Sequence, residues 1–151
     1  MSEPVPFEMT RLELLRCSFC RNPSWEGHPG SRIASATLTI RNTGGFSPQG
    51  DSARFVQAFR TEEGALMPFS LEVEYGAVFS MSRPVPPEER PFYIHRAFPC
   101  LIFPFMREYV AETTRRGGFP PLVINMSADR GPWDGAGPGA PDGGAVLKWI
   151  H

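Results

Sequence analysis

The stretch from Met67 to Met81 alternates apolar residues with polar or small ones almost without a break. A two-residue period places successive side chains on opposite faces of a β-strand, so this strand should have one face on a core and one in water. Half-buried strands of this kind are typical of an antiparallel sheet that is covered on one side. The pattern therefore predicts that the fold is built on a sheet with one apolar face.

Three further segments have strand character, although each is less regular: Phe7 to Cys20, Ile33 to Arg41 and Ala53 to Arg60. The spacers Asn42 to Asp51 and Thr61 to Gly64 are rich in glycine, serine, asparagine and charge, as hairpin connections are. Together with Met67 to Met81, these segments predict a four-stranded antiparallel sheet.

The first of these strands changes parity along its length. Phe7 and Met9 fall on one parity, whereas Leu12 and Leu14 fall on the other. A one-residue shift in pairing moves every following side chain to the opposite face of the sheet. The change of parity therefore predicts a bulge, or a strand that changes partner.

Prolines and glycines delimit the region after the last strand. Ser82 to Ala97 contains four prolines, which predicts a crossover loop with apolar side chains. A helix is expected next, with Pro104 in its first turn. Its apolar stripe at the helical period consists of Phe105, Met106, Tyr109, Val110 and Thr113. Gly117 and Gly118 are expected to end the helix. The predicted fold class is α+β: a four-stranded antiparallel sheet with a crossover loop and one main helix packed on one face.

We expect one domain, residues 1–127, followed by a tail, residues 128–151. The 151 residues suffice for one compact domain with a sizeable core. Ala128 to Gly144 is dominated by glycine, proline and alanine, which favours a disordered tether. The tail ends in Ala-Val-Leu-Lys-Trp-Ile-His, an apolar segment that either docks back on the domain or binds a partner.

Charge and apolar runs argue against two classes of function. The net charge is −1 at pH 7 and there is no basic stripe, so nucleic-acid binding is not expected. The longest apolar run, Phe98 to Phe105, is far shorter than the roughly 20 residues of a bilayer span, and the amino-terminal residues lack a signal-peptide pattern. Three cysteines, an odd number, argue against a disulfide framework. We expect a cytoplasmic protein without membrane insertion.

Catalytic chemistry has one weak candidate, the Cys17-Ser-Phe-Cys20 motif, with His28 downstream. A structural zinc site needs four convergent ligands, and a second ligand pair is missing. Residues three apart on a strand point to opposite faces, so the two thiols converge only where the strand ends between them. His95 has no serine or carboxylate in a triad context. We therefore predict no enzyme activity, no metal and no cofactor, and a zinc or thiol-redox site is the remaining alternative.

Apolar side chains are more abundant than one sheet face and one helix stripe can easily cover. The chain has 12 phenylalanines, three tryptophans and six methionines. Oligomerisation would cover part of this surface, with helices from different subunits packed together. A groove for apolar segments of other proteins is the second interpretation, and the two are compatible.

Three short motifs follow one another in the second half of the chain. Glu72 to Ser80 has the pattern E-V-x-x-G-x-x-F-S, Leu101 to Glu108 has L-x-F-P-F-x-R-E, and Arg116 to Leu122 has R-x-G-F-P-x-L. In this order and spacing, the motifs resemble the SecB family of protein-export chaperones. The resemblance extends over roughly Phe7 to Asn125, and it is thin before Leu71.

The resemblance implies a subunit that holds unfolded or nascent polypeptides without ATP, assembled as a homotetramer that is a dimer of dimers. Clients in the family lie in apolar grooves bordered by the crossover loop and the helix. The corresponding client-binding positions here are Phe79, Met81, Phe92, Tyr93, Ile94, Phe98, Leu101 and Phe103. Methionine and aromatic side chains make an adaptable lining that suits many clients.

The resemblance also implies a docking face for the SecA motor, formed by acidic residues on the exposed face of the sheet. Glu72 and Glu74 hold such positions here. Arg16 and Cys20 stand where further acidic residues are expected, and a reversed charge should weaken docking to a basic partner. Family members also add an amphipathic helix where this chain has its tail.

These departures favour a divergent, solitary chaperone that serves a dedicated client such as an antitoxin. General export through the Sec motor is less well supported by them. An interaction module of the same fold, in which the terminal Val-Leu-Lys-Trp-Ile-His recruits a partner, is the alternative function.

Overall fold

The computed structural model describes residues 3–23, 36–61, 68–124 and 143–147. Its elements in chain order are β1 (Phe7–Arg21), β2 (Ala36–Phe46), β3 (Ser52–Thr61), β4 (Phe69–Met81), α1 (Arg90–Phe92), a π turn (Tyr93–Ala97), α2 (Phe98–Arg116) and β5 (Gly143–Leu147). The three helical pieces follow one another directly. Within this part of the chain, no helix combines the length and apolar character needed to cross a bilayer.

The five strands form one antiparallel sheet in the order β1-β4-β3-β2-β5. The predicted α+β fold, with four antiparallel strands and one main helix, is confirmed, and β5 adds a short strand beside β2. This strand includes Gly143 and Gly144, which the sequence assigned to a tether. Residues 125–142 and 148–151 lie outside the described residues, as do the predicted strand starts Ile33 and Met67.

β2 is longer than the sequence indicated. It continues to Phe46, through residues assigned to a hairpin connection, and the turn is confined to residues 47–51. Gly50 adopts φ +80° in that turn, a conformation that favours glycine. The strand extends because the Phe46 ring packs near Tyr93 and Phe98, at centroid distances of 6.1 and 6.0 Å.

β1 contains the predicted change of parity. Its pairing with β4 shifts between Met9 and Arg11, and again between Leu14 and Arg16. Thr10, at the first shift, donates its hydroxyl hydrogen to a carbonyl oxygen of β4 at 3.2 Å. The apolar residues before and after this shift consequently lie on the same face of the sheet, so the predicted bulge is confirmed.

The helical region starts earlier than predicted. It begins at Arg90, so the crossover loop is only Ser82 to Glu89, and Pro104 lies inside α2 instead of in a first turn. Pro91 and Pro99 lie in the first turns of α1 and α2, where a missing amide hydrogen costs little. The wider π turn directly before Pro99 gives its ring room against the preceding carbonyl groups. Pro104 is exposed, and water can bind the carbonyl group that this residue cannot pair.

Two buried clusters lie between the sheet and the helical region. One includes Leu71, Val73 and Met106, and the other includes Phe79 and Phe98. Fully burying a side chain of this size contributes roughly 1.5–3 kcal/mol. The clusters hold α2 on one face of the sheet, and the other face remains largely open to solvent.

Thr114 and two glycines fix the end of α2. Gly117 is the first residue after the helix and Gly118 has φ +87°, so the predicted end is confirmed. The Leu122 amide donates to the Thr114 hydroxyl oxygen at 2.8 Å. This contact directs the following segment back onto the core, where Leu122 and Ile124 are buried.

Candidate functional site

Three large apolar side chains of the helical region face solvent. Phe92 is 51% exposed, Leu101 43% and Phe105 41%. Leu101 and Phe105 are one helical turn apart and are therefore neighbours on α2. These three residues, hereafter the exposed helix patch, are a candidate surface for binding an apolar partner.

A cleft of about 570 Å³ opens between β1 and the flank of α2 that carries Phe105. Strand residues form one wall and helix residues at the helical period form the other. The lining residues of this β1–α2 cleft are Cys17, Phe19, Tyr75, Phe105, Glu108, Tyr109, Glu112, Thr113, Arg116 and Gly117. Phe105 belongs both to the cleft and to the exposed helix patch, so the cleft and the patch share this side chain.

Two tyrosines stand together in the β1–α2 cleft. The rings of Tyr75 and Tyr109 meet edge to face, with centroids 6.0 Å apart and planes at 85°. A hydrogen bond with the Cys17 thiol, followed by burial, raises the pKa of Tyr109. Burial, followed by the nearby Glu108 carboxylate, raises the pKa of Tyr75. Both phenols therefore stay neutral at physiological pH and offer hydrogen-bonding groups in an aromatic wall.

Phe19 closes the β1–α2 cleft near the end of α2. A Cβ atom added at Gly117 would lie 2.3 Å from Cζ of Phe19, so only glycine leaves room for this ring. The Phe19 ring is also 5.3 Å from that of Phe69 and 6.2 Å from that of Phe119. The Arg21 guanidinium lies 5.3 Å from the Phe119 ring centroid, within cation–π range. This end of the cleft is thus fixed by aromatic packing.

Charged residues of α2 form the rim beside this aromatic end. The Glu112 carboxylate accepts hydrogen bonds from Arg115 at 2.9 and 2.7 Å and from Arg116 at 2.8 Å. The bonds from Arg115, and next those from Arg116, lower the pKa of Glu112 from 4.5 to about 2. The carboxylate is therefore ionised at physiological pH, and the rim carries both signs of charge.

Five of the eight predicted client-binding residues lie in the core of the subunit. Phe79, Met81, Tyr93, Phe98 and Phe103 are each at most 6% exposed. The first four belong to one buried cluster, so the structure brings them together as packing residues. In this subunit they are therefore not accessible to a client, and their client-binding role stays a prediction. Phe79 and Met81 lie on the core face of β4, and Phe98 and Phe103 lie on the face of α2 that packs on the sheet, whereas Tyr93 is turned inward because the helical region starts before it.

The other three predicted residues lie nearer the surface. Phe92 and Leu101 are exposed, whereas Ile94 is partly buried, with its Cδ1 atom 2.9 Å from the position of a Cβ added at Gly44. Phe105 was predicted only as part of the helix stripe. Its position four residues after Leu101 is the sequence signal that places it beside that residue on the surface.

The predicted docking residues lie on the outer face of the sheet. Glu72 is paired within the subunit, because Nε of Arg60 lies 3.2 Å from its carboxylate and Nη1 of Arg16 lies 3.7 Å away. Glu74 stands opposite Arg16 in the β1–β4 ladder. Cys20 is exposed. The acidic charge at this face is thus partly neutralised by arginines.

Cys17 and Cys20 do not converge. β1 continues through both residues, with Cys17 opposite the buried Val73 and Cys20 opposite the exposed Ser70. The two thiols therefore belong to opposite faces of the sheet. Among the described residues, no group of three or more histidine, cysteine, aspartate or glutamate residues could hold a metal ion. His28 lies outside the described residues.

Two apolar residues of the edge strand are also exposed, and the sequence did not predict either of them as a surface residue. Leu14 is 42% exposed and Leu15 51%. A Cβ added at Gly76 would lie 2.8 Å from Cδ1 of Leu15, so Leu15 lies against a position without a side chain. The signal in the sequence is a pair of adjacent leucines where strict alternation would give only one.

The second half of the chain is similar in sequence to a known protein family. The family model described as preprotein translocase subunit SecB matches residues 55–127. The protein-export protein SecB of Dinoroseobacter shibae is 41% identical over 67 residues, which cover 44% of this chain and 38% of the relative. SecB of Bradyrhizobium sp. (strain BTAi1) is 42% identical over 66 residues, which cover 44% and 40%. The matched region thus spans about two fifths of the length of these curated relatives.

Solved structures share the fold over most of the chain. The Mycobacterium tuberculosis Rv1957 SecB-like chaperone, in complex with a ChAD peptide from the Rv1956 HigA1 antitoxin, has a TM-score of 0.63 and 17% identity, covering 80% of this chain and 90% of that one. A Streptococcus agalactiae protein of unknown function has a TM-score of 0.53 and 10% identity, covering 82% and 99%. At these identities, the likeness concerns the fold.

Proposed function

We propose that this chain is a SecB-like, ATP-independent chaperone that holds unfolded or nascent polypeptides, because its residues 55–127 match the SecB family model. The relatives that it matches in sequence are protein-export proteins. The SecB-like chaperone that it matches in fold was solved with a bound peptide. Both comparisons support a polypeptide as the ligand.

The observation that carries this proposal is the exposed helix patch beside the β1–α2 cleft. Burying one such side chain fully against a client contributes roughly 1.5–3 kcal/mol. Ordering a client segment offsets much of that gain, so the three residues of one subunit would bind only weakly. A client that contacts several subunits at once would be held much more tightly.

Self-assembly is therefore part of the proposal, as a cytoplasmic homotetramer arranged as a dimer of dimers. β1 is an edge strand of the sheet, and Leu14 and Leu15 on it are exposed. Edge strands with apolar side chains are surfaces that proteins usually cover. Light scattering after size exclusion should give a tetramer mass for the wild type and a lower mass for Leu15→Glu.

Suppression of aggregation tests the chaperone activity directly. A chemically unfolded model protein is diluted into buffer without ATP. This protein is either absent or present at less than one copy per client molecule. We expect the wild type to suppress light scattering. The Leu101→Ser/Phe105→Ser variant should lose most of that effect, because it removes two apolar contacts of the exposed helix patch.

Val123→Ser is the matched control, because Val123 is 42% exposed but lies after α2, outside the patch. It should suppress aggregation as the wild type does. Equal loss in both variants would point to general destabilisation and would remove the assignment to the patch. A folded tetramer without any suppression would contradict the chaperone proposal itself.

A second candidate is an interaction module or toxin–antitoxin-associated chaperone that is not coupled to the Sec motor. The specific observation is that Arg60 and Arg16 pair with Glu72, which lowers the acidic charge offered by Glu72 and Glu74. Binding to a purified SecA motor would distinguish the two. We expect weak binding that becomes stronger in Arg16→Glu, and equal binding by both proteins would contradict a role for these acidic residues in docking.

A further inference from the structure

The edge of β2 carries a strand from the far end of the same chain. β5 pairs antiparallel with β2 through five residue pairs, from Ala36 opposite Leu147 to Ile40 opposite Gly143. Its sequence, Gly-Gly-Ala-Val-Leu, lies in the tail. The segment therefore joins the sheet and does not occupy the β1–α2 cleft, whose lining residues lie elsewhere.

An edge strand is a natural place for an extended peptide to bind. Its outward N–H and C=O groups form a ladder with any added strand, largely independently of the side chains of that strand. β2 has 11 residues, whereas the ladder with the five-residue β5 ends at Ile40. The edge is thus longer than the segment that lies along it.

The receiving part of β2 is well anchored. Leu38 is 0% and Ile40 2% exposed, and both belong to the buried cluster that also contains Leu122 and Ile124. The segment directly after α2 thus packs in the same cluster as the strand that accepts β5. Small residues, Ala145 and Gly143, stand opposite Leu38 and Ile40 in the register.

We propose that the β2 edge is a peptide-binding site that works by strand addition, and that the chain's own Gly143–Leu147 segment is its resident ligand. The ligand class is an extended peptide whose pairing segment is uncharged and carries small residues at the positions opposite Leu38 and Ile40. An external peptide reaches the site only by displacing the tethered strand. This site is separate from the exposed helix patch and does not depend on chaperone activity.

A tethered ligand competes through its effective concentration. A covalently linked segment can reach roughly millimolar effective concentration. For a free peptide with a Kd of about 100 µM, that competition weakens apparent binding about tenfold. Release of the tail should therefore be measurable as tighter binding of the same sequence added in trans.

The test uses the full chain and a fluorescein-labelled peptide of residues 143–151. The variant Ala145→Pro/Val146→Pro keeps the length of the tail but removes two consecutive amide hydrogens. Because hydrogen-bonded pairs alternate along an antiparallel ladder, at least one of the two prolines must remove a ladder bond. We expect this variant to bind the peptide about tenfold more tightly than the wild type.

Hydrogen exchange locates the effect on the strand. The outward amides of Ala36 to Ile40 should exchange slowly in the wild type and rapidly in the proline-pair variant, and free peptide should restore the slow exchange. The matched control Ala136→Pro/Gly137→Pro places two prolines in the tail outside β5 and should behave as the wild type.

Two results would overturn the proposal. In the first, the wild type and the proline-pair variant bind the peptide equally well or not at all, and the amides of Ala36 to Ile40 exchange at the same rate in both proteins. The other is slow exchange that disappears when the wild-type protein is diluted, because the strand would then come from a second copy. Neither measurement involves aggregation suppression, so failure here is distinct from failure of the chaperone proposal.

Discussion

The rings of Phe79 and Phe98 lie face to face, with centroids 3.9 Å apart and planes within 3° of parallel. Phe79 lies near the end of β4, and Phe98 begins α2, so this stack joins an interior strand of the sheet to the start of the helix. Both rings are 0% exposed. The aromatic residues that resemble a client groove in sequence are thus used to attach the helical region to the sheet.

Phe98→Ala should lower the free energy of unfolding by about 3–5 kcal/mol, because it removes a buried ring and leaves a cavity. Denaturant unfolding followed by circular dichroism measures the change. Phe92→Ala is the comparison, since Phe92 is 51% exposed and its truncation should change stability by only about 0.5 kcal/mol. Equal effects of the two truncations would contradict the burial described for Phe98.

Gly117→Ala should destabilise the protein by roughly 1–3 kcal/mol, because the new methyl group would overlap the Phe19 ring. Gly45→Ala is the control, because a Cβ at Gly45 meets no atom within 4 Å. The double variant Phe19→Leu/Gly117→Ala should lose less stability than the two single changes predict together. Strict additivity in this double-mutant cycle would mean that the two residues are not in contact.

Thr114→Val should lower the free energy of unfolding by about 1–3 kcal/mol, although valine has nearly the same shape. The Thr114 hydroxyl accepts from the Leu122 amide at 2.8 Å and lies 3.0 Å from the Val110 carbonyl oxygen, to which it can donate. Valine leaves the buried Leu122 amide without that acceptor. Thr43→Val, at an exposed position of β2, should have little effect in the same denaturation experiment.

Glu112 should titrate well below the ordinary range, with a carboxyl pKa of about 2 in place of 4.5. A lowered pKa means that this ion-pair cluster stabilises the fold above pH 4.5, and that this stabilisation is lost as the pH falls from 4.5 towards 2. Side-chain carboxyl NMR measures the midpoint. Arg115→Gln should raise the pKa of Glu112. High salt should also raise this pKa in part, because the carboxylate is accessible to ions. Arg96→Gln is the control and should leave the pKa unchanged.

The sheet was largely predictable because the decisive information is local. Met67 to Met81 alternates clearly enough to show which side chains are buried, and the parity change near Met9 predicts the bulge. Helix termination was equally local, because Gly118 supplies a left-handed conformation that few other residues adopt. The family resemblance extended these elements to a fold that the comparisons support.

The site was harder to predict, because burial depends on contacts between distant parts of the chain. Tyr93 lies in a proline-rich segment that favours a loop, yet its hydroxyl accepts a hydrogen bond from the Val5 amide at 2.7 Å. No local sequence pattern predicts this hydrogen bond. Likewise, Arg16 and Arg60 come together at Glu72 only through the strand order of the sheet.

The π turn at Tyr93–Ala97 sets the angular phase between the two halves of the helical region. An α-helix advances about 100° per residue, so one extra residue in a turn rotates everything before it by that amount. Phe92 thereby points to water, while Tyr93 points inward to Val5. A chain that lost a single residue from this turn would rotate both rings and present a different side chain to solvent with nearly the same composition. Length at this one turn, and not hydrophobicity, therefore selects which aromatic side chain is displayed.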